Sequence, residues 1–129
     1  MTAYIVKATP VDAGPGEVVT FVEKTMYGGK KIAPGDEVFV FASDHEGGRG
    51  LSSRGTVLGV APGPGIRLTI MVRLTAMAKR PFGRVELKDY RERTDASPET
   101  EIARRFYRQA TNKIGGISEA AADLLKDHF

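Results

Sequence analysis

Residues 66–75 alternate with a period of two: Ile66, Leu68, Ile70, Val72 and Leu74 share one side, and Arg67, Thr69, Met71, Arg73 and Thr75 the other. Successive side chains of a strand point to opposite faces, so this stretch buries one face as a β-strand, whereas a 3.6-residue helix would scatter the same apolar residues around its axis. Residues 55–61 read as a preceding strand, and Pro62-Gly-Pro-Gly65 as the tight turn between them. The run Val38-Phe-Val-Phe-Ala-Ser43 is short, apolar and rich in β-formers, which predicts a strand buried on both faces.

The rest of the chain is read around these strands. Residues 3–8 alternate, end before Pro10 and predict a first strand, and residues 10–16 are turn-rich. Residues 17–27 stay open. Val18, Phe21, Val22 and Met26 recur at helical spacing, while the valines and threonines favour a strand. Gly28 and Gly29 end that segment, residues 44–54 form a glycine-rich loop, and residues 85–87 add a short strand. After Asp89 the texture becomes helical. Ser97-Pro98-Glu99 supplies an N-cap, a proline at the first helical position and a carboxylate in the first turn. Ile102, Phe106 and Ala110 form its apolar stripe, Gly115-Gly116 breaks the helix, and Ser118 caps a last one with Ala121, Leu124 and Leu125 inward. Strands followed by helices predict an α+β fold: a small β-barrel of about five to six strands, mixed or antiparallel, with C-terminal helices. At 129 residues this is one domain, 1–129.

Composition narrows the chemistry. There is no cysteine, which excludes disulfides, thiolate metal sites and a cysteine nucleophile and fits a reducing, cytoplasmic compartment. No apolar stretch approaches the roughly 20 residues of a membrane span, and residues 1–9 lack a signal-peptide pattern, so no membrane partner is expected. Net charge is +3, unevenly spread: residues 67–113 hold twelve basic and six acidic side chains, leaving seven and ten elsewhere. A basic flank on a nearly neutral body is compatible with a polyanion.

The segment Ile32-Ala-Pro-Gly-Asp-Glu-Val-Phe-Val-Phe-Ala-Ser43, then a glycine-bearing loop, then Gly55-Thr-Val-Leu-Gly-Val60, resembles the PUA-like superfamily, closest to its EVE and ASCH domains. Lys24-Thr25 sits where ASCH domains carry a Lys-Thr pair. The likeness runs over residues 3–80; the tryptophan segment of EVE domains is missing, and residues 106–114 match neither group. It implies a pseudobarrel whose cleft, near Lys24 and the loop after Ser43, accepts a nucleobase, often modified or flipped. Some ASCH relatives hydrolyse a modified nucleoside there.

The candidate binding residues follow. The loop from Ser43 to Arg54 packs hydroxyls (Ser43, Ser53), Arg49, Arg54, a histidine, two carboxylates and several glycines into twelve residues. Glycines let a backbone approach a ligand, and arginines fork onto phosphates or base edges. A flipped base also needs a flat wall, which Phe39, Phe41 or Tyr27 could supply. Lys24 and Thr25, with Glu23, are the residues a hydrolase would use for proton transfer. Arg104, Arg105, Tyr107, Arg108 and Asn112 lie on a basic segment fit to follow a phosphate backbone, with Phe106 turned to the core and Lys79, Arg80 and Arg84 extending it. Asp44-His45-Glu46 offers one histidine and two carboxylates, too few for a divalent metal site. No catalytic residue, metal or cofactor is assigned. The expectation is a module that binds nucleic acid, RNA or DNA, or a nucleotide, and recognises a nucleobase, modified ones included. Two alternatives stay open: an ASCH-type hydrolase of a modified nucleoside, or a non-catalytic domain that homodimerises through its helices.

Overall fold

Six strands close into a barrel in the order β1-β3-β4-β5-β2-β6: β1 (Ala3–Ala8), β2 (Val18–Met26), β3 (Glu37–Ala42), β4 (Gly50–Pro62), β5 (Leu68–Met77) and β6 (Lys113–Ile117). This is a computed structural model that describes residues 3–8, 13–26, 28–42, 50–80, 82–90, 93–108 and 113–129. The sheet is mixed: β1–β3 and β2–β6 pair in parallel, the other neighbours antiparallel. The open choice over residues 17–27 resolves as a strand over Val18–Met26, because Phe21 faces the barrel interior opposite Ile70 while Val18 and Val22 face out. Among the described residues, no helix is long and apolar enough to cross a membrane.

The apolar run of β3 has both faces covered. Val38 and Val40 point into the barrel with Tyr4, Val6, Ile70, Val72, Leu74 and Ile114. Phe39 and Phe41 point out and join Ala3, Ile5 and Leu51 under the helices α2 (Pro98–Arg108) and α3 (Glu119–Lys126), represented there by Ile102, Ala103, Ala121 and Leu125. Two cores therefore share β1 and β3 as their common wall.

Both halves of the sequence signature have physical roles. In Pro-Gly-Asp, the Asp36 carboxylate accepts the Ala33 N–H at 2.9 Å, and the turn is stitched to β4 by Gly35 N–H to Val57 O at 2.8 Å and Val57 N–H to Asp36 O at 2.9 Å. At Gly55 a Cβ would stand 2.4 Å from the Arg73 carbonyl oxygen, so only glycine lets β5 approach β4 this closely.

Four expectations are corrected. The loop is shorter at its far end, because β4 starts at Gly50 and residues 50–54 are strand. Ile66 is 77 % exposed and precedes β5. Residues 85–87 belong to the one-turn helix α1 (Arg84–Leu87), not a strand. Gly115 and Gly116 do not break a helix; they lie in β6, which closes the barrel by pairing with β1 on one side and β2 on the other. Glycine is a poor strand former in isolation, and a strand hydrogen-bonded along both edges overrides that weakness.

The helix starts follow the expected capping. Ser97 Oγ accepts the Thr100 N–H at 3.2 Å, and Ser118 Oγ accepts the Ala121 N–H at 3.1 Å. Asp95 reinforces the first cap, its Oδ1 accepting the Ser97 N–H, the Ser97 hydroxyl and the hydroxyl of the buried Thr100. These hydrogen bonds, first those of Thr100 and Ser97, lower the Asp95 pKa to about 2. Glu101 then ties α2 to α3 by accepting the Ser118 N–H at 2.7 Å and its hydroxyl at 2.5 Å.

Two outcomes follow from this architecture. Leu125→Ala in the outer core and Ile70→Ala in the barrel core should each destabilise by about 2–5 kcal/mol. Both variants should still unfold in a single urea transition, since the cores share a wall; two separated transitions would refute that. Asp95 is held below its unfolded value of 3.8, so its stabilisation is complete above that pH and lost as pH falls through about 2. Asp95→Asn should thus lower the melting temperature at pH 6, with the gap to wild type closing toward pH 2; a gap constant with pH would contradict the cap assignment.

Candidate nucleobase and phosphate site

Register, rather than sequence proximity, decides which candidates meet. Starting from β4, Ser53 pairs with Val40, Val40 with Val6, Val6 with Ile114 and Ile114 with Thr25. Val40, Val6 and Ile114 face the barrel interior, so this row has an apolar centre with a hydroxyl residue at each end. One level over, Leu51 pairs with Phe41, Phe41 with Lys7, Lys7 with Lys113 and Lys113 with Lys24. Lys24 is thus three strand spacings, about 14 Å along the sheet, from the strand end that leads into residues 43–49.

Ser53 reaches the interior because of a bulge. The register slips between Val40 and Phe41 and leaves Ser52 without an opposite residue, its hydroxyl donating to Val40 O at 3.1 Å. That extra residue turns Leu51 to the outer core and Ser53 inward, where it is 2 % exposed. Its hydroxyl makes no hydrogen bond to another described residue. A buried hydroxyl usually has a partner, and no described residue supplies one here.

Thr25 is half-buried beneath the 3-10 turn Gly29–Lys31. At Gly29 a Cβ would lie 2.2 Å from the Ile114 carbonyl oxygen and 3.2 Å from Thr25 Cβ, so a glycine is required for this turn to seat on β2 and β6. Lys30 and Lys31 of this turn are exposed, as is Lys24 on β2. Two residues before Thr25, the half-buried Glu23 also faces inward, and burial raises its pKa although Arg67 nearby pulls it down.

Other candidates do not join this site as open ligand contacts. Phe41 is 1 % exposed and Phe39 fully buried, both in the outer core, so neither offers a face on which a base could stack. The reading of residues 38–43 as buried on both faces already contained that outcome. Arg54 lies on the outer face of β4, 2.9 Å from Glu37 and above the Phe129 ring, which itself packs on Phe39. It braces the barrel against the segment after α3. Arg80 donates to the Asp127 carbonyl, in the same brace as Lys79 N–H to His128 O and the His128 ring stacked on Phe82. Tyr107 and Arg108 occupy the last turn of α2, and their side chains, like those of Arg105 and Phe106, lie outside the description. Tyr27, Ser43, Arg49, Asn112 and the Asp44-His45-Glu46 triplet fall outside the described residues. Within the described residues no group of three metal-ligating side chains gathers.

Lys24 stands among the binding residues that the sequence suggests, whereas Lys7 and Lys113 do not; the pairing of β1, β6 and β2 places positions 7, 113 and 24 at matched register on three neighbouring strands. Within the described residues no ion pair involves Lys24, Lys30 or Lys31.

No protein-family model matches this sequence, and no curated protein does. Solved structures do match over nearly the whole chain. Human THYN1 in complex with 5-methylcytosine-containing DNA superposes with a TM-score of 0.73 at 15 % identity, covering 98 % of this chain and 96 % of that one. The DUF55 domain of human thymocyte nuclear protein 1 gives 0.70 at 14 %, covering 97 % and 96 %. The NMR structure of Rpa0253 from Rhodopseudomonas palustris gives 0.63 at 14 %, covering 99 % and 92 %. The coverage takes in α2, β6 and α3, beyond the 3–80 stretch that carries the motifs. A closed six-stranded mixed barrel flanked by helices, with the Pro-Gly-Asp turn stitched to the Gly-x-Val strand, gives this chain the small α+β PUA-like barrel fold that these solved structures share.

Proposed function

We propose that this chain is a nucleic-acid-binding module that receives a nucleobase, modified bases included, at the barrel wall formed by β2, β6 and β1. The observation that supports it best is the likeness, along 98 % of the chain, to a protein solved with DNA containing 5-methylcytosine. The local chemistry agrees. Ser53 brings a buried hydroxyl with no described partner, and Thr25 a half-buried one, at the two ends of an apolar row. The centre of that row, Val6, Val40 and Ile114, is packed in the barrel core, so a base would meet the hydroxyl ends and not the row itself. Cations nearby hold the backbone without reading sequence.

The test is fluorescence anisotropy with matched oligonucleotides, single- and double-stranded, with and without 5-methylcytosine. Wild-type protein should bind the modified strand more tightly. Ser53→Ala and Thr25→Ala should each reduce that preference about three- to tenfold, the worth of one hydrogen bond, while leaving the melting temperature of the free protein within a few degrees. Equal affinity for modified and unmodified strands would reduce the reading to backbone binding, and no binding to any oligonucleotide would end it.

A further inference from the structure

We propose that the outer face of β2, β5 and β4 docks a protein partner: an amphipathic helix whose apolar stripe is flanked by aspartate or glutamate. This goes beyond the nucleic-acid reading above and does not depend on it.

One wall of the barrel leaves large apolar side chains in the open. The helices cover β1, β3 and the start of β4, where Phe39, Phe41 and Leu51 lie beneath Ile102, Ala121 and Leu125. On the β2–β5–β4 side, Val18 is 49 % exposed, Leu58 43 % and Met71 46 %, with Val22 also exposed. Register brings them together. Met71 lies between Thr20 of β2 and Gly59 of β4, while Val22 pairs with Thr69, two residues before Met71. A register slip between Val57 and Gly59 leaves Leu58 as an extra residue that turns outward. At Gly59 a Cβ would stand 3.0 Å from Met71 Cε, so the methionine lies across the glycine next to Leu58. Apolar side chains exposed singly need no explanation, but several on three adjacent strands mark an interaction surface.

Charge says what covers it. Glu23 is the single acidic residue within these three strands, and it shares the inward face of Phe21. Arg73, opposite Val18 on one side and Thr56 on the other, is exposed, as is Lys24, and neither forms an ion pair within the described residues. The acids that border the face are engaged: Glu17 accepts the Gly14 N–H at 3.1 Å, and Glu37 holds Arg54 and Lys126. A second copy would press one cationic face against another, and like charges across an interface cost affinity. A nucleic-acid backbone would match the charge but leave Val18, Leu58 and Met71 against hydrated phosphates. A protein segment with an apolar centre and a carboxylate rim satisfies both. Each barrel strand already has a neighbour on both sides, so the segment docks through side chains and does not add as a strand. Three strands by about six residues make a face of about 10 by 20 Å, which matches a helix of about four turns.

The experiment selects binders from a phage-displayed library of helical peptides with every surface position randomised. Wild-type protein is the bait, and Leu58→Glu/Met71→Glu is the counter-selection. Enriched peptides should carry Leu, Met or Phe at i, i+3, i+4 and i+7, flanked by Asp or Glu. A synthetic copy of the most enriched peptide should bind Arg73→Gln about two- to fivefold more weakly than wild type, with the difference shrinking at high salt. Melting temperatures close to wild type confirm that the variants fold, and Leu58→Ser serves for counter-selection if the double variant does not. No enrichment over the variant, peptides without an acidic bias, or equal binding by Arg73→Gln overturns the proposal. So does a wild-type dimer in sedimentation equilibrium that Met71→Glu dissociates, which makes a second copy the occupant. Displacement of the selected peptide by a DNA duplex also overturns it, and makes nucleic acid the occupant. None of these outcomes bears on whether modified bases are preferred, which the anisotropy measurement decides separately.

Discussion

The pairing of β1 with β3 in parallel and with β6 antiparallel organises everything else in this molecule. Tyr4, Val6 and Ala8 of β1 feed the barrel interior, and Ala3 and Ile5 feed the layer beneath the helices. Sliding β1 by one residue against β3 would exchange those two sets and leave both cores mismatched. The apolar content on both faces therefore locks the register, and the register in turn fixes which polar residues become neighbours. The Ser53–Thr25 row is a consequence of that lock, read off strand by strand through Val40, Val6 and Ile114.

Irregularities then adjust what the lock delivers. The extra residue at Ser52 lets one strand serve two layers, with Leu51 outside and Ser53 within. A second slip, at Thr75 on β5, sets its hydroxyl 3.3 Å from the Arg54 carbonyl and coincides with the close approach at Gly55. Bulges of this kind re-aim side chains at the rims of barrels, and here the re-aimed residue is the serine whose hydroxyl has no described partner.

Much of the architecture was legible from residue order alone. The period-two pattern of 68–74, the doubly apolar run at 38–42 and the serine caps at 97 and 118 each carry a local physical reason, and each stands in the structure. What was illegible depended on partners distant in sequence. β6, with two glycines in five residues, becomes a strand because β1 and β2 both offer it open edges. Residues 17–27 satisfy helical and strand spacing equally, and only the long-range antiparallel pairing of β2 with β5 decides between them. In the site, Lys24 and Thr25 were visible as a pair, but the register that sets positions 7 and 113 on the neighbouring strands was not. Those two lie 106 positions apart, 113 minus 7, and no composition window joins them. Arg54 and Phe41 were chosen for their chemistry, and it is absorbed by Glu37, Phe129 and the outer core.

The late place of β6 in the chain has a consequence for assembly. Until residues 113–117 arrive, β1 and β2 have bare hydrogen-bonding edges, and the helices α1 and α2 must already have been threaded across the gap. Contacts between positions 3–7 and 113–117 span most of the sequence, which makes closure a slow, high-contact-order step. During synthesis, a nascent chain that has emerged only through β5 displays two sticky borders, the kind of surface that chaperones shield and neighbouring chains can invade. The lysines at positions 7 and 24 stand on those two borders, where their charge discourages edge-to-edge association before the last strand slots in.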